Sequence, residues 1–462
     1  MTGRILIVDD LATNRIILKV KLNAACHETL LAATGAEALE IAHAQQPKLI
    51  LMDMQLPDMS GIDVCRRLRA SPATQHIPVV IVTGINDRAS RLQALEAGVD
   101  EFLAKPLNEV ILLARIRSLL RAHQTETELR LRSETWGGMD LAEGETVFAL
   151  PGRIGLIAAE TAISMVWRSA LSPYLRERLM VLSPAAALAD TPPGAAPDFY
   201  MIASDLGRYG SGQRLVSDLR SRTTSRHSAI ALVLTQADPE TAAMALDVGA
   251  SDLFTMPMDP QETALRISLH VQRKRRADGL RSAVSTGLKM AITDPLTGLY
   301  NRRYALAHLD RIAAESRETG RRFAVMVLDL DRFKAINDTY GHATGDAVLE
   351  TVARRLSGAL DPGTLLARIG GEEFLVVIPT ATLADARHTA ETLCQAIGGA
   401  PISLPDGRGN ITVTISVGLA MCSNPPPTPT RSAAREALAR ADAALMGSKT
   451  DGRNQVTINS AA

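Results

Sequence analysis

Aromatic residues are scarce in this sequence: they make up 3% of its 462 residues, whereas hydrophobic residues of all kinds make up 46%. The cores must therefore be built from aliphatic side chains, which suits layered α/β domains rich in Val, Ile, Leu and Ala. A chain of this length exceeds what a single core supports, so we expect two to four domains.

The sequence also lacks an excess of either charge, since it has 50 Lys and Arg against 50 Asp and Glu. No global charge therefore favours binding to nucleic acid or to an anionic membrane. The four cysteines show neither metal nor disulfide spacing, which fits a reducing compartment. No apolar run approaches the length of a membrane span and the N-terminus has no signal-peptide pattern, so we expect a soluble, cytoplasmic protein.

Residues 1–122 alternate strand-like apolar runs with amphipathic helical patterns. The runs are RILIVDD, LILMDM, PVVIVTG and EFLAKP, and each is continuously apolar, as in parallel strands that are covered on both faces. This pattern predicts an α/β domain with a flavodoxin-like, doubly wound parallel sheet. Ligands of such folds bind at the carboxyl ends of the strands.

Polar side chains stand where these strands end: Asp9 and Asp10, then Asp53, Thr83 and Lys105. Three carboxylates at one edge of a sheet favour a hard cation such as Mg²⁺. A lysine and a threonine beside them are able to hold a phosphoryl group. For any one of these residues a simple polar strand end is the favoured explanation, but five at matching strand ends argue against it.

A second segment, residues 151–273, repeats this layout, because GRILIV (3–8) recurs as GRIGLI and LEAGVDEFLAKPLNE (95–109) recurs as LDVGASDLFTMPMDP. The positions that match the polar strand ends carry residues unable to hold a cation, namely Ala158 and Ala159, Ala203 or Ser204, and Met256, while Thr235 alone retains its type. We expect this segment to bind no Mg²⁺ and to accept no phosphoryl group. It is interpreted as an adaptor or dimerisation surface, with an inert spacer as the alternative.

Three further segments complete the chain. Residues 123–150 are charged and then contain glycine, which predicts a helical extension followed by a linker. Residues 274–292 predict a polar connecting helix, and residues 293–460 form a third domain that begins with TDPLTGLYNRR.

The third domain contains the stretch ARIGGEEFLVV, which predicts two strands joined by a tight turn at Gly370 and Gly371. Glu372 and Glu373 then stand side by side and repel each other unless a cation relieves them. An upstream strand ends in Asp329 and Asp331, and Asp329, Glu372 and the carbonyl of Leu330 form a predicted Mg²⁺ site. A solvated acidic hairpin tip is the simpler alternative.

Cationic and amide side chains accompany these acids. Lys334, Lys449 and Arg453 are able to neutralise phosphates, while Asn337 and Asp346 suit the Watson–Crick edge of guanine. We expect a helix start and turn over Phe333–Tyr340 and a second helix from Asp346. The alternatives take Asp346 as a helix N-cap, Asn337 as a turn former and Lys334 as a solvated charge.

The first domain resembles the receiver domain of bacterial response regulators. The third resembles diguanylate cyclases, because GGEEF is one form of the GGDEF signature and DLDRFKAINDTYGHATGD and ISVGLA match the surrounding motifs. The whole chain resembles a PleD-type response regulator with a receiver, a degenerate receiver and a GGDEF domain. This resemblance implies a palm-like α+β fold for the third domain, related to nucleotidyl cyclases.

For the receiver, the resemblance implies that Asp53 takes a phosphoryl group from a histidine kinase or a phosphotransfer protein. It further implies roles for the neighbouring residues: Mg²⁺ binding by Asp9, Asp10, Asp53 and the carbonyl of Gln55, switching by Thr83 and Phe102, and phosphate contact by Lys105, with a cis bond before Pro106.

For the cyclase, the resemblance implies that a homodimer condenses two GTP molecules into cyclic di-GMP. The implied roles are Mg²⁺ or Mn²⁺ binding by Asp329, Leu330 and Glu372; catalysis by Glu372 and Lys334; guanine and ribose binding by Asn337, His342 and Asp346; close approach of GTP at Gly370 and Gly371; and phosphate binding by Lys334, Lys449 and Arg453.

The sequence departs from the family at the RxxD product-inhibition motif, where Asp361 and Thr364 stand instead. We therefore expect weak or absent feedback through that site; Arg153 and Arg178 remain as a secondary contact or as ordinary surface residues. The main alternative function is an inactive GGDEF domain that senses nucleotide or binds a partner. A DNA-binding regulator is disfavoured because no helix-turn-helix or basic patch follows the receivers.

Overall fold

The computed structural model describes residues 4–84, 87–136, 151–192, 194–236, 238–404, 409–422 and 433–459. The chain divides into two compact units, Met1–Val284 and Ser285–Ala462. Two modules, each with a parallel sheet, make up the first unit, and a mixed sheet forms the centre of the second.

The first module is a doubly wound α/β domain, as predicted. Its elements are β1 Arg4–Val8, α1 Ala12–Ala24, β2 Glu28–Ala32, α2 Gly35–Gln45, β3 Leu49–Asp53, α3 Gly61–Ala70, β4 Val79–Thr83, α4 Arg88–Glu96, β5 Glu101–Ala104 and α5 Glu109–Trp136. The parallel strands are ordered β2-β1-β3-β4-β5. Ser60 and Asp87 cap α3 and α4 by accepting backbone N–H bonds, so these two helices start where the sequence supplies an acceptor.

The second module repeats this topology. Its elements are β6 Arg153–Ile157, α6 Thr161–Leu171, β7 Arg178–Val181, α7 Pro184–Ala187, β8 Phe199–Ala203, a 3₁₀ turn Gly207–Tyr209, α8 Gly212–Ser221, β9 Ala229–Leu234, α9 Pro239–Val248, β10 Asp252–Thr255 and α10 Pro260–Ile292. The strand order β10-β9-β8-β6-β7 is equivalent to that of the first module. The internal repeat read from the sequence is therefore a repeat of the fold.

Two long helices follow the receiver-type sheets. Helix α5 continues to Trp136, as the predicted helical extension requires, and the predicted linker at residues 137–150 lies outside the described residues. Helix α10 runs without a break from Pro260 to Ile292, so the predicted boundary at residues 273–274 falls inside one continuous helix. Among the described helices, none is long and apolar enough to cross a membrane.

The second unit is an α+β domain. Its elements are β11 Tyr300–Asn301, α11 Arg302–Thr319, β12 Phe323–Leu330, α12 Phe333–Tyr340, α13 His342–Gly358, β13 Leu365–Arg368, β14 Glu373–Ile378, α14 Leu383–Gly398, β15 Ile402–Ser403, β16 Asn410–Ile411, β17 Ile415–Cys422, α15 Ala433–Thr450 and β18 Val456–Asn459. The main sheet is ordered β11-β13-β14-β12-β17-β18, with antiparallel pairing at its centre. Helices cover both of its faces, and β12 is buried along its whole length.

Equivalent residues of the two receiver-type modules meet in a buried ion network. Arg115 of α5 contacts Glu101 of β5 at 2.8 Å and Asp252 of β10 at 3.2 Å. Arg266 of α10 pairs with Asp252 and approaches Glu101 to 3.5 Å. Each arginine thus contacts the acid of its own module and the acid of the other, which ties the two modules together.

Candidate functional site

The receiver acids meet at one edge of the first sheet, as the strand ends predicted. Oxygen atoms from Asp9, Asp10 and Asp53 all lie within 4.8 Å of one another. Asp9 is 2% exposed and accepts hydrogen bonds from the Asn14 amide at 3.1 and 3.0 Å, so its position is fixed. Three carboxylates so close together favour a divalent cation with oxygen ligands.

Lys105 stands among these acids. Its ammonium group lies 2.5 Å from Asp53 and 3.2 Å from Asp9. Partial burial alone would lower the pKa of Lys105, but the hydrogen bonds and charges of Asp53 and Asp9 outweigh it and raise that pKa. The lysine therefore stays charged beside Asp53, where it is placed to contact a phosphoryl group.

The remaining receiver residues lie on the strands around this edge. Thr83 is the last residue of β4 and is 5% exposed, and Phe102 lies half-buried in the adjacent β5. Gln55 follows β3, and its N–H donates to Asp53 at 3.2 Å. The Lys105–Pro106 peptide is cis, as expected.

At the strand-end positions that the structure describes in the second module, no acid occupies a place equivalent to Asp9, Asp10 or Asp53. Ala158 and Ala159 follow β6, and Met256 follows β10. Strand register identifies Ala203 rather than Ser204 as the match of Asp53. Asp53 is the last residue of β3, which pairs with β1, and Ala203 is the last residue of β8, which pairs with β6 in the same way.

The prediction that Thr235 matches Thr83 is wrong. The N–H of Lys105 donates to the carbonyl of Thr83, and the N–H of Met256 donates in the same way to Leu234. Leu234 therefore occupies the threonine position, and Thr235 lies one residue beyond the end of β9. The second module thus lacks every one of the polar strand-end residues of the first.

Asp329 and Glu372 form the acidic centre of the second unit. Strand β12 places Asp329 opposite Glu373, and the N–H of Leu330 donates to the carbonyl of Glu372 at 3.2 Å. The ammonium group of Lys449 lies 2.7 Å from Asp329. Two strands and the last turn of α15 therefore bring these side chains together from distant parts of the sequence.

The two carboxyl groups are electrostatically unfavourable where they stand. Burial raises the pKa of Asp329, and Lys449 offsets this only in part. Burial and the charges of Asp329 and Glu373 raise the pKa of Glu372. A bound cation would stabilise the charged forms of these two carboxyl groups. Together with the carbonyl of Leu330 they offer the hard oxygen ligands that a divalent metal prefers. The residues present therefore fit a divalent metal.

The hairpin turn gives its two glycines different surroundings. A side chain at Gly370 would meet the Glu373 carboxylate at 2.4 Å, whereas nothing lies within 4 Å of that position at Gly371. The side chain of Glu373 thus already fills the space beside Gly370. Only Gly371 faces open space that a ligand is able to enter.

The side-chain oxygen of Asn337 is a hydrogen-bond acceptor that lacks a donor. Its side-chain oxygen is buried and, within the described ranges, has no hydrogen-bond partner. The oxygen would lie 1.9 Å from a β-carbon at residue 345, so the amide fits only because that residue is Gly345. A buried acceptor without a donor costs free energy, and a ligand with an N–H group would relieve this cost.

The helices around Asn337 differ from those predicted. Phe333–Tyr340 forms a complete helix, and the next helix begins at His342 instead of Asp346, because Gly341 breaks the chain direction with a φ of 85°. Asp346 therefore lies inside α13 and is not an N-cap. Asp346 and His342 are both exposed.

The N-terminus of α12 adds a phosphate-binding feature. Arg332 at the N-cap position makes no side-chain capping bond, and of the first three N–H groups of the helix its carbonyl accepts only that of Ala335, at 3.0 Å. Among the described residues the N–H groups of Phe333 and Lys334 therefore remain available, and the side chain of Lys334 is exposed. Free helix N–H groups with an adjacent cation favour anions. Exposed Arg453 follows α15 near the same acids and also acts on the pKa of Asp329.

Sequence reasoning did not identify Arg368, which braces the hairpin. Its guanidinium donates to the Gly371 carbonyl at 3.1 and 2.7 Å and pairs with Asp294 at 3.0 Å. Asp294 also caps the turn at Thr297. A charged residue at the end of the apolar strand LLAR was the available signal.

Comparison with known proteins identifies both kinds of domain. The family model for the diguanylate cyclase GGDEF domain matches residues 291–455, and that for the response regulator receiver domain matches residues 5–117. The response regulator PleD of Caulobacter vibrioides is 35% identical over 458 residues, covering 99% of each chain. Diguanylate cyclase A of Treponema denticola is 36% identical over 178 residues, or 37% of this chain and 45% of that protein.

Among solved structures, the GGDEF domain of DgcB from Caulobacter crescentus, crystallised in complex with c-di-GMP, is 36% identical. The match covers 37% of this chain and 94% of the DgcB domain, with a TM-score of 0.34.

Proposed function

This chain belongs to the PleD-type response regulators and is a diguanylate cyclase, and from that premise we propose that it condenses two GTP molecules into cyclic di-GMP under the control of phosphorylation at Asp53. Each 3′-hydroxyl attacks the α-phosphorus of the other nucleotide, and two pyrophosphates leave. Each domain binds one GTP, so the two reacting nucleotides belong to two chains and the active species is a homodimer.

The observation that carries the choice of guanine is the orphaned acceptor of Asn337. Guanine presents N–H donors on its Watson–Crick edge, and these satisfy both Asn337 and the carboxylate of Asp346 on the neighbouring helix. Adenine lacks the N1–H donor. His342, at the start of α13, is assigned to the ribose.

The acidic centre supports the chemistry at the α-phosphorus. Asp329, Glu372 and the carbonyl of Leu330 are assigned to a divalent metal, Mg²⁺ or Mn²⁺, which supplies charge neutralisation when bound. Glu372, whose pKa is raised by burial and by its acidic neighbours, accepts the proton of the 3′-hydroxyl.

The surrounding cations complete the assignment. Lys334, Lys449 and Arg453 bind the phosphates and stabilise the charge that builds on them in the transition state. Lys449 already neutralises Asp329 in this structure, so it exchanges one anionic partner for another when GTP binds. Gly371 leaves space for the nucleotide, and Gly370 accommodates Glu373.

Regulation is assigned to the receiver. Asp9, Asp10, Asp53 and Gln55 bind Mg²⁺, Asp53 accepts a phosphoryl group from a histidine kinase or phosphotransfer protein, and Lys105 holds it. Thr83 and Phe102 respond and change the packing against the second module, which acts as an adaptor. We expect this to raise the population of productive dimers.

The test is to incubate the purified full chain with GTP and Mg²⁺, with and without beryllofluoride, and to identify the product by mass spectrometry. We expect cyclic di-GMP, more of it with beryllofluoride, and none from Glu372→Gln; Glu350→Gln, at an exposed position of α13, is the matched control. Asp53→Asn should remove the response to beryllofluoride. Failure of the wild type to form product or to bind a GTP analogue would refute the proposal.

A further inference from the structure

Asp331 is a buried carboxylate that the proposed reaction does not use. It lies just beyond β12 and is 8% exposed. One of its oxygens accepts a hydrogen bond from the Ser416 hydroxyl at 2.7 Å. The other accepts one from the Thr414 hydroxyl at 2.6 Å and one from the backbone N–H of Asn454 at 3.1 Å. Both oxygens are therefore committed to donors of the protein itself.

The third of these donors belongs to the turn that carries Arg453. In this turn, between α15 and β18, Arg453 and Asn454 both adopt left-handed backbone conformations, with φ of 68° and 49°. Residues other than glycine rarely adopt this conformation, and two in succession persist only where other contacts hold them. The bond from Asn454 to Asp331 is such a contact, and the N–H of Arg453 donates to the carbonyl of Ser448 at 3.0 Å.

The side chain of Arg453 is available for a ligand. It is exposed, and among the described residues its guanidinium has neither a hydrogen bond nor an ion pair. A guanidinium offers a planar set of donors that matches a phosphate group, but only when its backbone is held in place. The ability of Arg453 to bind a phosphate group therefore depends on the conformation of the turn.

We propose that Asp331 is a positioning residue, which fixes through the N–H of Asn454 the left-handed turn that presents Arg453 to the pyrophosphate end of bound GTP. This inference rests on the proposed function, in which Arg453 contacts phosphate. Without the tether the turn samples other conformations and Arg453 loses its fixed place, while the ion pair between Lys449 and Asp329 remains.

The test measures inhibition by pyrophosphate in the full chain activated by beryllofluoride. Arg453→Ala is expected to weaken pyrophosphate inhibition about 10- to 100-fold, the usual effect of losing a charge-assisted hydrogen bond. Asp331→Ala should weaken it in the same direction by up to the same factor. Pyrophosphate should inhibit the double variant as well as it inhibits Arg453→Ala alone, because both substitutions remove the same interaction.

Two further variants separate positioning from stability. Combined Thr414→Val and Ser416→Ala removes the two hydroxyl bonds to Asp331 but leaves the tether to Asn454, so pyrophosphate inhibition should stay within about twofold of wild type while the melting temperature falls. Asp331→Asn keeps an acceptor in place and should restore most of the inhibition. If Asp331→Ala does not fold, Asp331→Ser, which is too short to reach Asn454, replaces it.

The outcomes are distinct. If the wild type forms cyclic di-GMP but Asp331→Ala and Asp331→Ser retain wild-type pyrophosphate inhibition, the inference alone is overturned. The same holds if the effects of Asp331→Ala and Arg453→Ala simply add. A wild type that binds no GTP analogue would overturn the proposed function, and this inference with it.

Discussion

Replacing Gly345 by alanine should weaken GTP binding at a modest cost in stability, because the new β-carbon would also lie 3.2 Å from the buried Phe333 ring. The new β-carbon would lie 1.9 Å from the side-chain oxygen of Asn337, whereas real contacts of this kind stay above 3.0 Å. The oxygen must therefore retreat by at least about 1 Å. Because Gly345 lies inside α13, alanine itself favours the helix by about 0.5–1 kcal/mol.

The expected loss follows from the bond that Asn337 would make to guanine. A displaced amide forfeits one hydrogen bond in a buried site and leaves its partner unsatisfied, at a cost of about 1–2 kcal/mol. This corresponds to roughly 10-fold weaker binding of GTP. Gly358→Ala is the matched control, because Gly358 ends the same helix and nothing lies within 4 Å of its added β-carbon.

Calorimetric titration with a non-hydrolysable GTP analogue and Mg²⁺ measures the affinity, and thermal unfolding measures the stability. The affinity for an ATP analogue is measured for comparison. We expect the ratio of GTP to ATP affinity to be smaller in Gly345→Ala than in the wild type. The reasoning is refuted if Gly345→Ala binds the GTP analogue as tightly as Gly358→Ala does, or if its loss of affinity is matched by unfolding.

Three further outcomes are expected. Arg368→Ala releases the Gly371 carbonyl and should lower kcat at little cost in KM, with about 1–3 kcal/mol lost in urea unfolding; an unchanged kcat contradicts this. Arg115→Ala removes one guanidinium from buried acids and should cost about 3 kcal/mol, against under about 0.5 for exposed Arg66→Ala. Burial favours a raised pKa for Asp252, but its arginine and histidine partners outweigh burial and lower it. Its stabilisation is therefore fully present above its unfolded pKa of 3.8 and is lost as pH falls below that value towards the lower folded pKa, so the advantage over Asp252→Asn should shrink progressively below about pH 4 in unfolding titrations.

The receiver site followed from the sequence because a parallel sheet brings strand ends together at one edge. Once the apolar runs were identified, the meeting of Asp9, Asp53 and Lys105 required no further information. The one-residue error at Thr235 arose where this logic is weakest. Strand β9 is buried on both faces and its sequence AIALVL does not alternate, so no pattern fixes its register.

The sequence predicted the residues of the cyclase site but not the residues that hold them in place. Motifs named Asp329, Glu372 and Asn337, whereas Asp331 is held by partners 83 to 123 residues away in the sequence. Arg368 likewise reaches back 74 residues to Asp294. Bonds of this kind depend on which strands become neighbours, and no local periodicity encodes that choice.

The two receiver-type modules divide their chemistry in a way that bears on signalling. The second module has lost the residues that would hold a cation or a phosphoryl group, yet it supplies Asp252 and Arg266 to the shared ion network. In the first module the N–H of Phe102 donates to Glu101 at 3.1 Å, and Glu101 is the acid that contacts both arginines. A movement of the backbone at Phe102 would therefore disturb this network. Under the proposed regulation, a change at Asp53 that moves the backbone at Phe102 is expected to reach the second module through this shared network of charges.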